Sequence, residues 1–227
     1  ELLQCLVLLT NIGYSEATFA GNRAWLHSIK NNNELRRTFK QGLPKEAYGI
    51  MEEIIESFDF YRFQHLITLF LLQRYRRRDD GEVDFLTNLL IGYIKKEDDS
   101  IHKIKLWDLF NNIRKISFLT LDSLYSPVPF SLRLSSIILS FDEYYKDMIL
   151  KKTGYTQALI ELESVLQNSV YLSPESVICT SKSTREILSA LEDKKDKFKK
   201  ISTLKSLILK NVMKNDFESN FINWSID

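Results

Sequence analysis

Apolar residues recur at helical spacing along almost the whole chain, and this pattern predicts a succession of α-helices. The strongest signal runs from Phe60 to Arg77, where apolar positions surround the helix and predict that it is buried between neighbours. Further helices are expected over residues 2–11, from Ser15 through Ile29, and over 34–40, 45–58, 83–96, 101–116, 131–149, 155–170 and 183–214.

Turn and capping residues divide this pattern into segments. Ser15 is predicted to cap the second helix, and Pro44 fits the first turn of the fourth. Ser173-Pro174-Glu175 combines a capping residue, a proline at the first helical position and an acid, which is typical of a helix start. The two prolines within 126–130 mark the clearest break, since the residue before a proline avoids the helical region.

Eleven or twelve helices joined by short links favour antiparallel neighbours. We therefore predict an all-α protein built as an irregular stack of helical hairpins, similar in architecture to HEAT and armadillo solenoids, with a closed helical bundle as the alternative. Residues 1–227 are expected to form a single all-helical domain with a possible sub-boundary at 126–130. Because the sequence begins without Met, we also expect it to be part of a longer protein.

Composition narrows the class of protein. The chain of 227 residues contains 7 Gly and 4 Pro, too few for a turn-rich sheet protein, and its 44% apolar residues exclude general disorder. It has no apolar run long enough to cross a membrane, so no membrane partner is expected. Cys5 and Cys179 are too few for a disulfide framework, which predicts buried thiols and an intracellular location, cytoplasmic or nuclear.

Residues that could carry chemistry are sparse. None of the three histidines has metal-ligand spacing to other ligands, and there is no glycine-rich phosphate loop. We therefore predict no catalytic residues, no metal, no cofactor and no small-molecule substrate. Arg23 and His27, one helical turn apart, are the only pair that suggests an alternative, an all-α enzyme such as a ribonuclease.

Two basic segments are candidate binding sites for nucleic acid or an acidic partner. One ends the Phe60 helix, where basic side chains also complement the helix dipole. The other lies in residues 181–215, which carry ten basic and four acidic residues in a chain of net charge +1. The candidate residues are Arg74, Arg76, Arg77, Arg78, Lys194, Lys195, Lys197, Lys199 and Lys200.

The sequence as a whole favours a non-enzymatic interaction or scaffold domain that binds other protein subunits. Adjacent aromatic residues cannot both face one core, so Tyr61 and the Tyr144-Tyr145 pair are candidates for a partly exposed groove. The alternative is a nucleic-acid-binding helical module that uses the basic residues at 74–78 and 194–214.

Overall fold

The computed structural model describes residues 2–15, 17–75, 81–95, 107, 110–111, 113–119, 122, 161–193 and 199–213. All regular secondary structure within these ranges is helical, which confirms the all-α prediction. The helices with defined ends are α1 (Leu2–Ile12), α2 (Phe19–Asn31), α3 (Asn33–Gln41), α4 (Tyr48–Ser57), α5 (Phe60–Tyr75), α6 (Gly81–Lys95), α7 (Pro174–Glu192) and α8 (Ile201–Met213).

The chain divides into two compact units. The first contains Glu1–Ile104 and Thr180–Asp227, and the second contains Lys105–Cys179. The possible sub-boundary at 126–130 lies outside the described residues.

Helix α5 lies at the centre of the first unit. It contacts α1, α2, α4, α6 and α8. Residues 63–71 of α5 are all buried, which confirms the prediction of a helix enclosed by its neighbours. Its core face includes the fully buried Phe63 and Phe70, and α8 adds Leu204 and Ile208 to the same core.

Capping residues define several helix ends. Asn32 caps α3, because its side-chain oxygen accepts a hydrogen bond from the Leu35 backbone N–H at 3.0 Å. Gly42 follows the end of α3. Helix α7 begins at Pro174, and the Ser173 hydroxyl accepts from the Ser176 N–H at 3.2 Å, as its start signature predicts.

The predicted cap at Ser15 is wrong. Helix α2 begins at Phe19, and the Ser15 hydroxyl donates instead to Asn22 Oδ1 at 2.9 Å. The backbone explains the difference, because Ala17 and Thr18 have positive φ and cannot continue a right-handed helix back to Ser15. Ser15 is therefore a buried anchor for the loop before α2 rather than its cap.

The prediction of one long helix over 183–214 is also wrong. Helix α7 ends at Glu192, and α8 begins at Ile201. Helices in proteins persist chiefly where an apolar face is packed, and the intervening sequence is dominated by Lys and Asp. The Ile201–Met213 helix packs on the core of the first unit, where Leu204 and Ile208 are buried.

Both cysteines are free and partly exposed, so the prediction that they are buried is wrong. Each lies beside an apolar residue in sequence. Neighbours along a helix, however, project about 100° apart, so the buried Leu6 does not bury Cys5. Ile178, beside Cys179, is itself 66% exposed and therefore marks no core face.

The described residues of the second unit are 107, 110–111, 113–119, 122 and 161–179, which include the π-helical Gln167–Tyr171 and the first residues of α7. Leu119, Leu162 and Leu166 form a small buried cluster. Outside it, the Tyr171 hydroxyl donates to the Asp122 carboxylate, and burial raises the pKa of that carboxyl group.

In the described part of the chain, no helix combines the length and the apolar character that crossing a membrane requires.

Candidate functional site

Four aromatic rings form a continuous cluster on the first unit, which we call the aromatic surface: Tyr14, Phe19, Phe60 and Tyr61. The Phe19 ring is its centre, with centroid distances of 6.0 Å to Tyr14, 6.3 Å to Phe60 and 5.1 Å to Tyr61. Phe60 and Tyr61 are 4.2 Å apart. The Phe19 contacts are edge-to-face, the geometry that aromatic quadrupoles favour.

The aromatic surface is open to solvent although its members are apolar. Phe19 is 39% exposed and Tyr61 is 60% exposed, while Tyr14 and Phe60 are half-buried. The exposure of Tyr61 confirms the sequence prediction for that residue, and the Tyr144-Tyr145 pair lies outside the described residues. Single exposed apolar side chains are common on proteins, but contiguous exposed aromatic rings mark interaction sites.

The backbone beside the aromatic surface is strained. Three non-glycine residues in the described chain have positive φ: Ala17 at 56°, Thr18 at 46° and Phe58 at 56°. The first two immediately precede Phe19, and Phe58 lies two residues before Phe60. Phe58 occupies the left-handed position after α4, where glycine is usual. Such conformations cost about 1 kcal/mol or more each and cluster at functional sites.

A buried polar contact holds the first strained loop in place. Asn22 is fully buried, and its Oδ1 atom accepts from the hydroxyl (2.9 Å) and the N–H (3.4 Å) of Ser15. The Thr18 N–H donates to the Ser15 carbonyl at 2.9 Å. These hydrogen bonds connect the loop to Asn22 of α2. They therefore fix the backbone that leads into Phe19.

Arg23 gives the aromatic surface its charge. Its guanidinium lies 5.3 Å from the centroid of the Phe60 ring, within cation–π distance. No carboxylate in the described residues is within ion-pair distance of Arg23, whereas Arg62 is paired with Asp59 (2.7 Å) and Glu53 (2.6 Å). Helix α2 has no acid in its first turn and no hydrogen bond from a capping side chain.

The predicted basic sites are only partly described. Lys199 and Lys200 are exposed just before α8. The backbone of Arg74 belongs to the last turn of α5, and its side chain lies outside the described residues together with Arg76, Arg77, Arg78, Lys194, Lys195 and Lys197. The two basic segments therefore stay a prediction.

The Arg23 and His27 pair falls on α2 as expected, but the two side chains have different neighbours. Arg23 contacts Phe60, while His27 is exposed and its carbonyl accepts from Asn31 Nδ2 at 3.0 Å. Within the described ranges, no group of three His, Cys, Asp or Glu residues is close enough to hold a metal ion.

A cleft of about 270 Å³ adjoins α4, α5 and α6. Its lining includes Glu53 and Arg62, which are hydrogen-bonded to each other. This bond raises the pKa of the Arg62 guanidinium. A ligand in the cleft could bind either charged group only by breaking the Glu53–Arg62 ion pair.

An ion-pair network joins α3 to α4. Arg36 contacts Glu52 and Glu56, and Lys40 lies 2.9 Å from the other Glu52 oxygen. Hydrogen bonds from Lys40 and Arg36 lower the pKa of Glu52, and the bond to Glu52 raises the pKa of Arg36. The network stabilises the packing of α3 beside α4 and contacts none of the aromatic surface.

This network predicts a pH-dependent stability. Because the folded pKa of Glu52 is depressed, its contribution is complete above the unfolded pKa of about 4.3 and is lost as pH falls through the folded value. Glu52→Gln should lower the unfolding free energy by about 0.5–1 kcal/mol at pH 7, and the difference from wild type should shrink as the pH falls below about 4. Urea unfolding at neutral and at acidic pH measures this.

The control is Glu186→Gln, which removes an exposed carboxylate of α7 that makes no ion pair in the described chain. It should leave stability unchanged at both pH values. An equal loss for Glu52→Gln at neutral and at acidic pH would contradict the role of its ionised carboxylate.

Sequence reasoning did not identify Tyr14, Phe19, Phe60 or Arg23 as members of one surface. Phe19 and Phe60 fit the apolar pattern of their own helices, and helical spacing alone assigns them to a core. The adjacency of Phe60 and Tyr61 was the available signal, because it places one of the two rings off the core face.

Comparison of the chain with protein-family models, curated protein sequences and solved structures gave no match. Function is therefore inferred from the described side chains.

Proposed function

We propose that this chain is a non-enzymatic protein-interaction domain that binds a partner protein through the aromatic surface, as part of a larger assembly. The observation that carries the proposal is the contiguous exposure of Phe19 and Tyr61 beside Arg23. Aromatic residues and arginine are enriched where protein interfaces bury most of their binding energy.

The strained backbone supports the same function. Ala17, Thr18 and Phe58 adopt costly conformations in the segments that immediately precede the clustered rings of Phe19, Phe60 and Tyr61. A fold selected for stability alone favours glycine at such positions and a polar residue at exposed ones. Backbone strain and exposed aromatic rings both lower the stability of the fold, and both occur together where a surface serves binding.

Of the two architectures that the sequence leaves open, packing in the first unit favours the closed bundle. In a solenoid each repeat contacts only its neighbours along the chain. Here α8 contacts α3 and α5, and α5 is surrounded by helices from both ends of the sequence. We therefore propose a binding surface at one end of a bundle, formed by the first residues of α2 and α5, rather than a concave solenoid face.

The test is affinity capture with a surface variant. Phe19→Ser combined with Tyr61→Ser should lose its partner, because removing central aromatic anchors costs about 2 kcal/mol or more, about a thirty-fold loss of affinity. The control, Phe85→Ser, changes an aromatic residue of α6 that is 53% exposed and belongs to none of the ring pairs of the aromatic surface.

Protein partners that bind wild type and the control, but not the double variant, would support the proposal. Partners retained by the double variant would contradict it. Nuclease treatment of half of each lysate tests the alternative, a nucleic-acid-binding module. Partners held through DNA or RNA would be lost from the treated half, and their binding would fall steeply with salt.

A further inference from the structure

Two serines of this chain have the same local sequence. Ser117 and Ser202 are each preceded by an isoleucine and two basic residues, in the segments Arg114-Lys115-Ile116-Ser117 and Lys199-Lys200-Ile201-Ser202. No other serine or threonine of the chain has basic residues at both the second and the third position before it. Many protein kinases select a hydroxyl by this charge pattern, because acidic side chains of the kinase pair with the basic ones. Both serines are exposed, so both are candidate phosphorylation sites.

The structure distinguishes the two sites. A kinase takes the modified residue in an extended segment, which a helix presents only by opening locally. Around Ser117 the chain is helical over 113–119, and Ile116 is buried. Lys115 is also paired with Glu163, with 2.6 Å between the charged atoms. Extending this segment breaks the helix in its middle and removes Ile116 from its buried position, so the fold protects Ser117.

Ser202 lies at the beginning of a helix, where opening costs least. It is the second residue of α8, and Lys199 and Lys200 precede the helix and are both exposed. Only the first turn has to open, and there the Leu204 N–H donates to the Lys200 carbonyl at 3.0 Å. Because helix ends fray readily, Ser202 can become extended while the Leu204 side chain stays in the core.

We propose that Ser202 is a phosphorylation site for a kinase that recognises basic residues, and that Ser117 is not one in the folded chain. In the reaction the Ser202 hydroxyl oxygen bonds to the γ-phosphorus of ATP. The bond from that phosphorus to the ADP oxygen breaks, ADP leaves, and the hydroxyl proton passes to a carboxylate of the kinase. The site shares no residue with the aromatic surface, and its assignment does not depend on the proposed function.

A phosphate on Ser202 stabilises α8. The first turn of α8 contains no acidic residue, and its backbone N–H groups form the positive end of the helix dipole. Phosphoserine adds nearly two negative charges there at pH 7. Helix α8 packs on α3 and α5 and adds Leu204 and Ile208 to the core. The phosphorylated chain should therefore melt about 2–4 °C above the unmodified one.

The test compares the full chain with two peptides, 108–122 and 193–207, each incubated with ATP and the catalytic subunit of cAMP-dependent protein kinase. Both peptides should be phosphorylated, because neither has the fold to protect its serine. In the full chain, mass spectrometry should find Ser202 modified and Ser117 modified at least about ten-fold more slowly, since the open population falls with the structure that opening disrupts. Ser117 modified as fast as Ser202, or Ser202 unmodified in the peptide or the full chain, would overturn the assignment.

Substitutions test the basic residues. Lys199→Ala combined with Lys200→Ala should slow phosphorylation of Ser202 at least about ten-fold, because the charges that the kinase recognises are gone. Ser206→Ala is the matched control, since Ser206 is exposed one turn further along α8 and lacks basic residues at the second and third positions before it. It should leave the phosphate yield unchanged. A double variant that is modified at the wild-type rate would show that these lysines do not direct the reaction.

Thermal melting followed by circular dichroism tests the effect on α8. Ser202→Asp places a carboxylate in the first turn and should raise the melting temperature, whereas Ser206→Asp places it beyond the first turn, where the helix dipole has little effect. A phosphorylated chain that melts at or below the temperature of the unmodified chain would contradict the stabilisation of α8. The kinase assay decides the modification site separately.

Discussion

Replacing Gly13 by alanine is expected to lower the unfolding free energy by about 3 kcal/mol, at the upper end of the range for overpacking. A β-carbon on Gly13 would lie 1.8 Å from the Gln64 carbonyl oxygen and 2.7 Å from Thr68 Oγ1. The carbonyl belongs to the backbone of the buried helix α5, so it cannot move without moving that helix. Thr68 adds a second constraint, because its hydroxyl donates to the Leu9 carbonyl of α1 at 3.0 Å.

The matched control has the opposite sign. Gly49 lies in α4, and a β-carbon added there would have no other atom within 4 Å. Gly49→Ala should therefore raise stability by about 0.5–1 kcal/mol through the loss of unfolded-state entropy. Urea titration followed by circular dichroism measures both changes. A Gly13→Ala protein as stable as wild type would show that α1 and α5 do not approach so closely.

Truncation of Phe39 to alanine is the second large effect, with an expected loss of about 3–5 kcal/mol. The Phe39 side chain of α3 is fully buried and stacks on Phe70 of α5 at 4.8 Å with an interplanar angle of 11°. Its ring also packs near Phe63 at 5.8 Å. Removing the Phe39 ring leaves a cavity beside the central helix α5. It also weakens the packing of α8, since Lys205 of α8 lies over the same Phe70 ring.

Since whole domains are stable by only about 5–15 kcal/mol, the alanine variant is expected to be largely unfolded at moderate urea concentrations. Phe39→Leu keeps most of the volume and should lose only about 1.5 kcal/mol, which preserves a measurable transition. Phe85→Ala is the control, because this ring is 53% exposed and its removal should change stability by less than about 0.5 kcal/mol. Similar losses for Phe39→Ala and Phe85→Ala would contradict the core position of Phe39.

The sequence by itself determined those features that depend on residues within one or two helical turns. The apolar spacing from Phe60 to Arg77 predicts the buried central helix, observed as Phe60–Tyr75, and Ser173-Pro174-Glu175 predicts the start of α7. These predictions succeed because capping bonds and helical faces are set by side chains three or four positions apart.

Only the tertiary structure decided where the chain departs from its local pattern. The Ser15 hydroxyl donates to Asn22 instead of capping a helix, because Ala17 and Thr18 have positive φ and interrupt the helical backbone between Ser15 and Phe19. No local sequence rule places a positive φ at these two residues. Gly13 is needed because α1 crosses the backbone of α5 at that point. The aromatic surface has the same origin. Phe19 and Phe60 begin two helices that are distant in sequence, and whether such rings enter a core or meet in solvent depends on how those helices pack.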